Sequence, residues 1–163
     1  MQILIGCTFI AFAIVLSIVD WKQMILPTSI IRWGMGVGIV EYMLQAKIQG
    51  NWLLLGDILT GAIIGYLFFM AIFYSSYWIL KKEGMGYGDV RLMGFIGLYI
   101  GIDTLFIAIL IASILASIYG VIRFIYYKKS TAYPFGPFLN IGGCITFVWG
   151  EYFLNNIMNI LRI

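Results

Sequence analysis

Long uncharged runs alternate with short polar breaks along the chain. Met1 to Val19 carries no charge and ends in Asp20-Trp21-Lys22. That length can cross a bilayer. No basic segment precedes it and no small-x-small cleavage site follows, so it reads as a retained span and not as a signal peptide. Thr28 to Gln45 predicts a second, weaker span containing Arg32, Glu41 and Gly34, Gly36 and Gly38. Small residues let helices approach closely, and the charges should face the bundle or an interface. Ile58 to Leu80 is uncharged and predicts a third span starting near Leu53. Thr104 to Ile122 is also uncharged and extends towards Tyr127. Ser130 to Gly150 is the last such run; Pro134-Phe135-Gly136-Pro137 must be irregular, which places a helix from Phe138 to about Leu154.

Between the third span and Thr104 lies Val90 to Gly101, only 12 residues. As a helix it covers about 18 Å, short of the roughly 30 Å hydrocarbon core. It must be tilted, extended past Gly101 or re-entrant. If it crosses, six spans result, and Lys22, Lys81-Lys82 with Arg91, and Lys128-Lys129 gather on one side. Only Lys47 and Arg162 remain near the other. The positive-inside rule makes the basic side cytoplasmic, with both termini outside. The expected fold is therefore an all-α polytopic membrane bundle of about six transmembrane helices with a short fourth, in a single domain over 1–163.

Composition supports this and narrows the chemistry. Hydrophobic residues make up 63% of the chain and charged residues 10%, against about 45–50% and about 25% in soluble domains. There is no histidine. That excludes serine–histidine and cysteine–histidine hydrolases, HExxH zinc proteases and histidine-ligated haem. Cys7 and Cys144 lie far apart in apolar runs and form no CxxC pair, so they read as small buried hydrophobes. The net charge of +3 fits cytoplasmic loops and calls for no nucleic-acid partner.

Only seven acidic residues exist. Asp20 closes the first span, and Asp89 follows Gly84-Met85-Gly86-Tyr87-Gly88 ahead of the short helix. With six spans both fall at the cytoplasmic boundary at similar depth. Two carboxylates in a poorly solvated cleft repel, so one proton is shared between them. One can then act as general base on a water while its protonated partner donates to a peptide carbonyl. This requires neither histidine nor metal, and no cofactor is expected. Gly86 and Gly88 are expected to allow positive φ and close approach to a substrate strand. The plain structural alternative is an interfacial N-cap at Asp89 on a glycine-rich loop.

Gly86-Tyr87-Gly88-Asp89 matches the GxGD motif of membrane aspartyl proteases. The wider stretch Glu83 to Leu92 closely resembles the type IV prepilin peptidase family, which includes archaeal preflagellin peptidases. That family pairs the GxGD aspartate with one closing the first span of the peptidase domain and followed seven positions on by proline, as Asp20 is by Pro27. Tyr133-Pro134-Phe135-Gly136-Pro137-Phe138 resembles its PFGPF stretch. Asp57 with Gly61, Gly65 and Tyr66 is a weaker match. The elements are collinear and cover nearly the whole chain.

The resemblance implies a membrane aspartic endopeptidase removing the short basic leader of prepilin, pseudopilin or preflagellin substrates at the cytoplasmic face of a prokaryotic membrane. Catalysis then falls to Asp20 and Asp89. Gly86 and Gly88 shape the loop, and Pro134, Phe135, Gly136 and Pro137 border the cleft. Many bacterial members carry a segment with two CxxC pairs and also N-methylate the product; with neither in these residues, an unmethylated product is expected. Arg91 stands where lysine is common and is expected to support the dyad or loop. Asp57, Asp103 and Glu151 read as outer-boundary residues, and Glu83 as a loop acid or a contact for a basic leader. Met24, Met85 and Met93 fit gap-filling better than a substrate groove. The competing readings are an ion-coupled transporter component and a non-catalytic pilus or secretion assembly subunit.

Overall fold

The computed structural model describes residues 1–81, 85–128 and 133–161; Lys82, Glu83, Gly84, Lys129 and Arg162 lie outside them. It is all-helical: α1 Gln2–Gln23, α2 Thr28–Gln49, α3 Leu53–Leu80, α4 Tyr87–Tyr127 and α5 Gly136–Leu161.

The six separate helices expected from the sequence become five elements, because the short fourth segment and the Thr104 segment are the two arms of α4. Gly101 stands between them with φ 71° and ψ 179°, a left-handed backbone that only glycine adopts without strain. A continuous helix would put residues 93 and 105 about 18 Å apart. Yet a Cβ built on Gly65 would lie 2.9 Å from Met93 O and 3.4 Å from Leu105 Cδ1. Likewise the α5 neighbours Gly142 and Gly143 face Ala108 and Ile96. The arms 87–100 and 102–127 thus lie side by side.

Among the described residues, three helices are long and apolar enough to cross a membrane: Gln2–Gln23, Leu53–Ile79 and Tyr87–Tyr127. That corrects the expected six spans at this level. Arg32, Glu41 and Lys47 dilute α2, and Asn140, Glu151, Asn155, Asn156 and Asn159 dilute α5.

The first arm of α4 is the centre of the bundle. Val90, Leu92, Met93, Phe95, Ile96 and Leu98 are fully buried. A helix apolar all round is enclosed either by protein or by lipid, and here the neighbouring helices enclose it. The backbones of α3 and this arm nearly touch: a Cβ on Gly97 would sit 2.3 Å from Gly61 O. Phe9 of α1 stacks on Tyr99 at 4.9 Å between ring centroids. Polar side chains tie α2 to its neighbours. Tyr42 donates to Tyr99 O at 2.6 Å, Tyr99 donates to Gly34 O at 2.9 Å, and Thr8 donates to Glu41 at 2.8 Å. Glu41 is buried as expected for a charge facing the bundle, whereas Arg32 is exposed.

The C-terminal ends of α1, α3 and α4 carry Lys22, Lys81 and Lys128. A helix C-terminus favours cations. The starts of α4 and α5 lie at this same end, as the contacts below show.

Candidate active site

The site is built where α1 ends and α4 and α5 begin. Asp20 occupies the last turn of α1 and is 5% exposed; Asp89 occupies the first turn of α4 and is 9% exposed. The charge of Asp20 bears directly on Asp89. Leu26, in the link from α1 to α2, packs between their supports. A Cβ on Gly88 would lie 2.9 Å from Leu26 Cβ, and one on Gly136 3.4 Å from Leu26 Cδ1.

Gly136 N–H donates to Asp20 Oδ2 at 3.1 Å. A side chain there is excluded, because its Cβ would stand 2.5 Å from the same oxygen. The first backbone N–H groups of a helix have no partner within it, so the start of α5 supplies a ready donor to this carboxylate. Pro137 fits the first turn because its missing N–H is not needed there. The helix therefore starts at Gly136 and not at Phe138, a correction to the irregular start expected. Pro134, Gly136 and Pro137 are buried and Phe135 half-buried, and Gly136 is the member of the stretch that meets Asp20.

The glycine loop differs from expectation. Gly86 is extended, with φ −70° and ψ 136°, and is itself the N-cap of α4. Gly88 lies within the helix. Among the described residues the glycines with positive φ are Gly50 and Gly101. Gly88 is needed for close packing on Leu26, not for a left-handed turn, and Gly86 has ordinary room, with Asp89 Oδ2 3.7 Å from a built Cβ. Asp89 is not the N-cap either. Its N–H donates to Gly86 O at 3.1 Å, and among the described residues its side chain makes no cap hydrogen bond. That leaves the carboxylate free for other work.

Arg91 reaches across to α2 and donates to Thr28 Oγ1. Its guanidinium lies 4.6 Å above the Tyr87 ring. The hydroxyls of Tyr87 and Tyr66 are 2.7 Å apart, and Phe73 meets Tyr87 edge-on. These contacts lock the α4 start against α2 and α3, the support role expected of Arg91. Tyr66 had only the weak Gly61-Gly65-Tyr66 spacing as its signal. Asn140 was not anticipated: one turn below Gly136, it donates to Ala13 O at 3.1 Å and Ser17 Oγ at 2.8 Å. Nothing in the sequence except a polar residue in an apolar run marked it. Asp57 is exposed near the start of α3, and Asp103 and Glu151 are exposed at the end of the bundle away from Asp20. Met93 is fully buried packing and Met24 is exposed. Among the described residues no cluster of three metal-binding side chains occurs.

This arrangement can polarise a water between two acids while keeping bulk solvent away. Comparison with known proteins gives the same direction. The chain is similar to a protein of Pseudomonas putida named prepilin leader peptidase/N-methyltransferase, at 36% identity over 90% of this chain and 50% of the relative. Proteins of the same name from Aeromonas salmonicida and Pseudomonas aeruginosa match at 35% and 34%, over 85% and 83% of this chain and 46% of each relative. The chain thus spans about half the length of these relatives. No solved structure matches. The model of the type IV leader peptidase family matches residues 7–121, which include both Asp20 and Asp89, and this integral membrane protein belongs to that family.

Proposed function

We propose that this chain is a membrane aspartic endopeptidase that removes the basic leader from type IV prepilin-like proteins. The observation that carries the proposal is the pair of buried carboxylates, Asp20 and Asp89, presented from two helices at one end of the bundle. One proton is held between them. The Gly136 N–H donated to Asp20 suits that residue to the role of base. Asp20 takes a proton from water as the oxygen attacks the scissile carbonyl, and Asp89 donates its proton to the carbonyl oxygen. The tetrahedral intermediate collapses as the proton on Asp20 passes to the leaving amine. The remaining diol proton returns to Asp89, restoring the starting state.

The site lies on the cytoplasmic side of the membrane. Lys22, Lys81 and Lys128 at the site end support that orientation. Polar neighbours satisfy the dilute helices from within the bundle, as Tyr42, Tyr99 and Asn140 do. Cysteines placed at the three lysines, with Cys7 and Cys144 replaced, should resist an impermeant thiol reagent in intact cells. Labelling of all three would invert the orientation.

The activity is tested by giving purified protein a prepilin-type substrate and weighing the products. A single cut between leader and apolar segment, lost in Asp20→Asn, is the expected result. An uncut substrate would reject the assignment.

A further inference from the structure

We propose that an apolar groove between α1 and α5 seats the first helical turns of the substrate segment that follows the scissile bond. This rests on the peptidase reading above and adds a binding site to it. The groove has a volume of about 340 Å3 and is lined by Ile14 and Ile18 of α1 and by Pro137, Asn140, Ile141 and Cys144 of α5. Its upper rim, at Ile18 and Pro137, is two residues from Asp20 and one from Gly136, the pair joined by the Oδ2 hydrogen bond. From there it descends along the flank of the bundle. Ile14, Ile18 and Ile141 are exposed along it, so a membrane-embedded segment enters sideways without parting any helix.

A lipid chain would fill the same apolar walls, but the floor is polar. Asn140 is 2% exposed. Its Nδ2 donates to Ala13 O, which can only accept, and this fixes the orientation of the amide. Its Oδ1 has no hydrogen-bond partner among the described residues. An unpaired acceptor in an apolar setting is costly. A substrate helix beginning just past the cut brings the complement: the first four N–H groups of any helix lack partners within it. Asn140 is four residues along α5 from Gly136, about 6 Å below the reacting level. Hydrocarbon offers no such donor.

The geometry sets a register. Cys144 lies eight residues beyond Gly136 on α5, about 12 Å down the groove. A helical substrate advances at the same rate, so its residue about eight positions after the cut lies beside Cys144. An extended one would bring about its fourth residue there.

Cys7 is exposed on α1 and is replaced by Ser, leaving Cys144 as the single thiol. Asp89→Asn is added to retain uncut substrate. Synthetic peptides with a basic leader and an apolar segment carry one cysteine at each of positions one to fourteen after the cut. They are oxidised with the protein in phospholipid vesicles, and the disulfide yield is read by mass spectrometry. The yield should peak at about position eight, with lesser peaks three or four residues away and roughly tenfold lower values on the opposite helical face. A flat profile, no product, a maximum near position four, or Cys144–Cys144 pairing between two copies would each overturn the proposal. In the otherwise unaltered enzyme, Ile141→Trp should raise KM about tenfold with kcat unchanged, since it fills the groove without touching the acids. Unchanged KM would also overturn it. Failure of the unaltered enzyme to cleave removes the peptidase reading and this site together; normal cleavage with a flat cross-linking profile removes this site alone.

Discussion

A pair of acids stands at each end of this bundle, and the fold treats the two pairs oppositely. Asp103 and Glu151 line an open recess of about 420 Å3 with Asn155, and both are exposed. Asp20 and Asp89 are buried, one held by a backbone N–H and the other, among the described residues, without a capping hydrogen bond. Exposed acids keep their water shell, so they cost little and do little. Buried acids lose that shell, and two near one another add repulsion. The same residue type is thus left in contact with solvent at one end and enclosed as a buried pair at the other. The difference is made by the neighbours: Leu26, Gly88 and Gly136 on one side, open space on the other.

The strongest way to break this comparison is to neutralise the acids at the site end. Asp20→Asn and Asp89→Asn should each lower leader cleavage by at least about a thousandfold, because neither an amide base nor an amide acid can move the required proton. The double variant should be no worse than either single one, since the pair acts as a unit. Purified, monodisperse variants measured against synthetic substrate give the answer; substantial residual cleavage would place the chemistry elsewhere.

A finer cut separates the glycines. Gly136→Ala forces a methyl group to within 2.5 Å of Asp20 Oδ2. It should lower kcat about a hundredfold with KM little changed, as a misplaced catalytic group does. Gly86→Ala meets ordinary contact distances and a φ any residue adopts, so cleavage should stay within about twofold. Equal losses from both would mean that the loop, not the grip on Asp20, matters.

The third change acts on the arm that joins the two ends. Gly97→Ala drives a methyl group into Gly61 O at 2.3 Å. A loss of about 2 kcal/mol is expected, seen as a lower melting temperature in detergent. Activity should follow the folded fraction. The smallest effects belong to the far end: Asp103→Asn and Glu151→Gln should leave cleavage within about twofold and stability within about 0.5 kcal/mol. A large loss from either would erase the distinction between the two pairs.

Much of this was legible along the chain because membrane helices declare themselves by uncharged length. The ends of α1, α2 and α3 fall near their polar breaks, and Asp20 and Asp89 stand out because so few acids interrupt apolar sequence. Four things were hidden. The fusion of two arms at Gly101 depends on one backbone torsion, which hydropathy does not register. The roles of Gly86 and Gly88 depend on what Leu26 does across the bundle, a contact without local signature. The early start of α5 was obscured by two prolines that normally interrupt a helix, although the first turn tolerates one. Asn140 escaped notice because its partners, Ala13 and Ser17, lie on the helix most distant from it in sequence.

The turn at Gly101 bears on how the length of this chain varies in evolution. One residue reverses the direction of α4 with no slack between its arms. An inserted residue just after it would rotate the second arm by about 100° and advance it by about 1.5 Å. Leu105, Ala108 and Ala112, now turned inward, would swing away from α3 and α5 together. Insertions and deletions should therefore be purged between Leu98 and Leu105, while the spacing from Gly50 to Trp52, where α2 has already ended on a left-handed glycine, is free to drift.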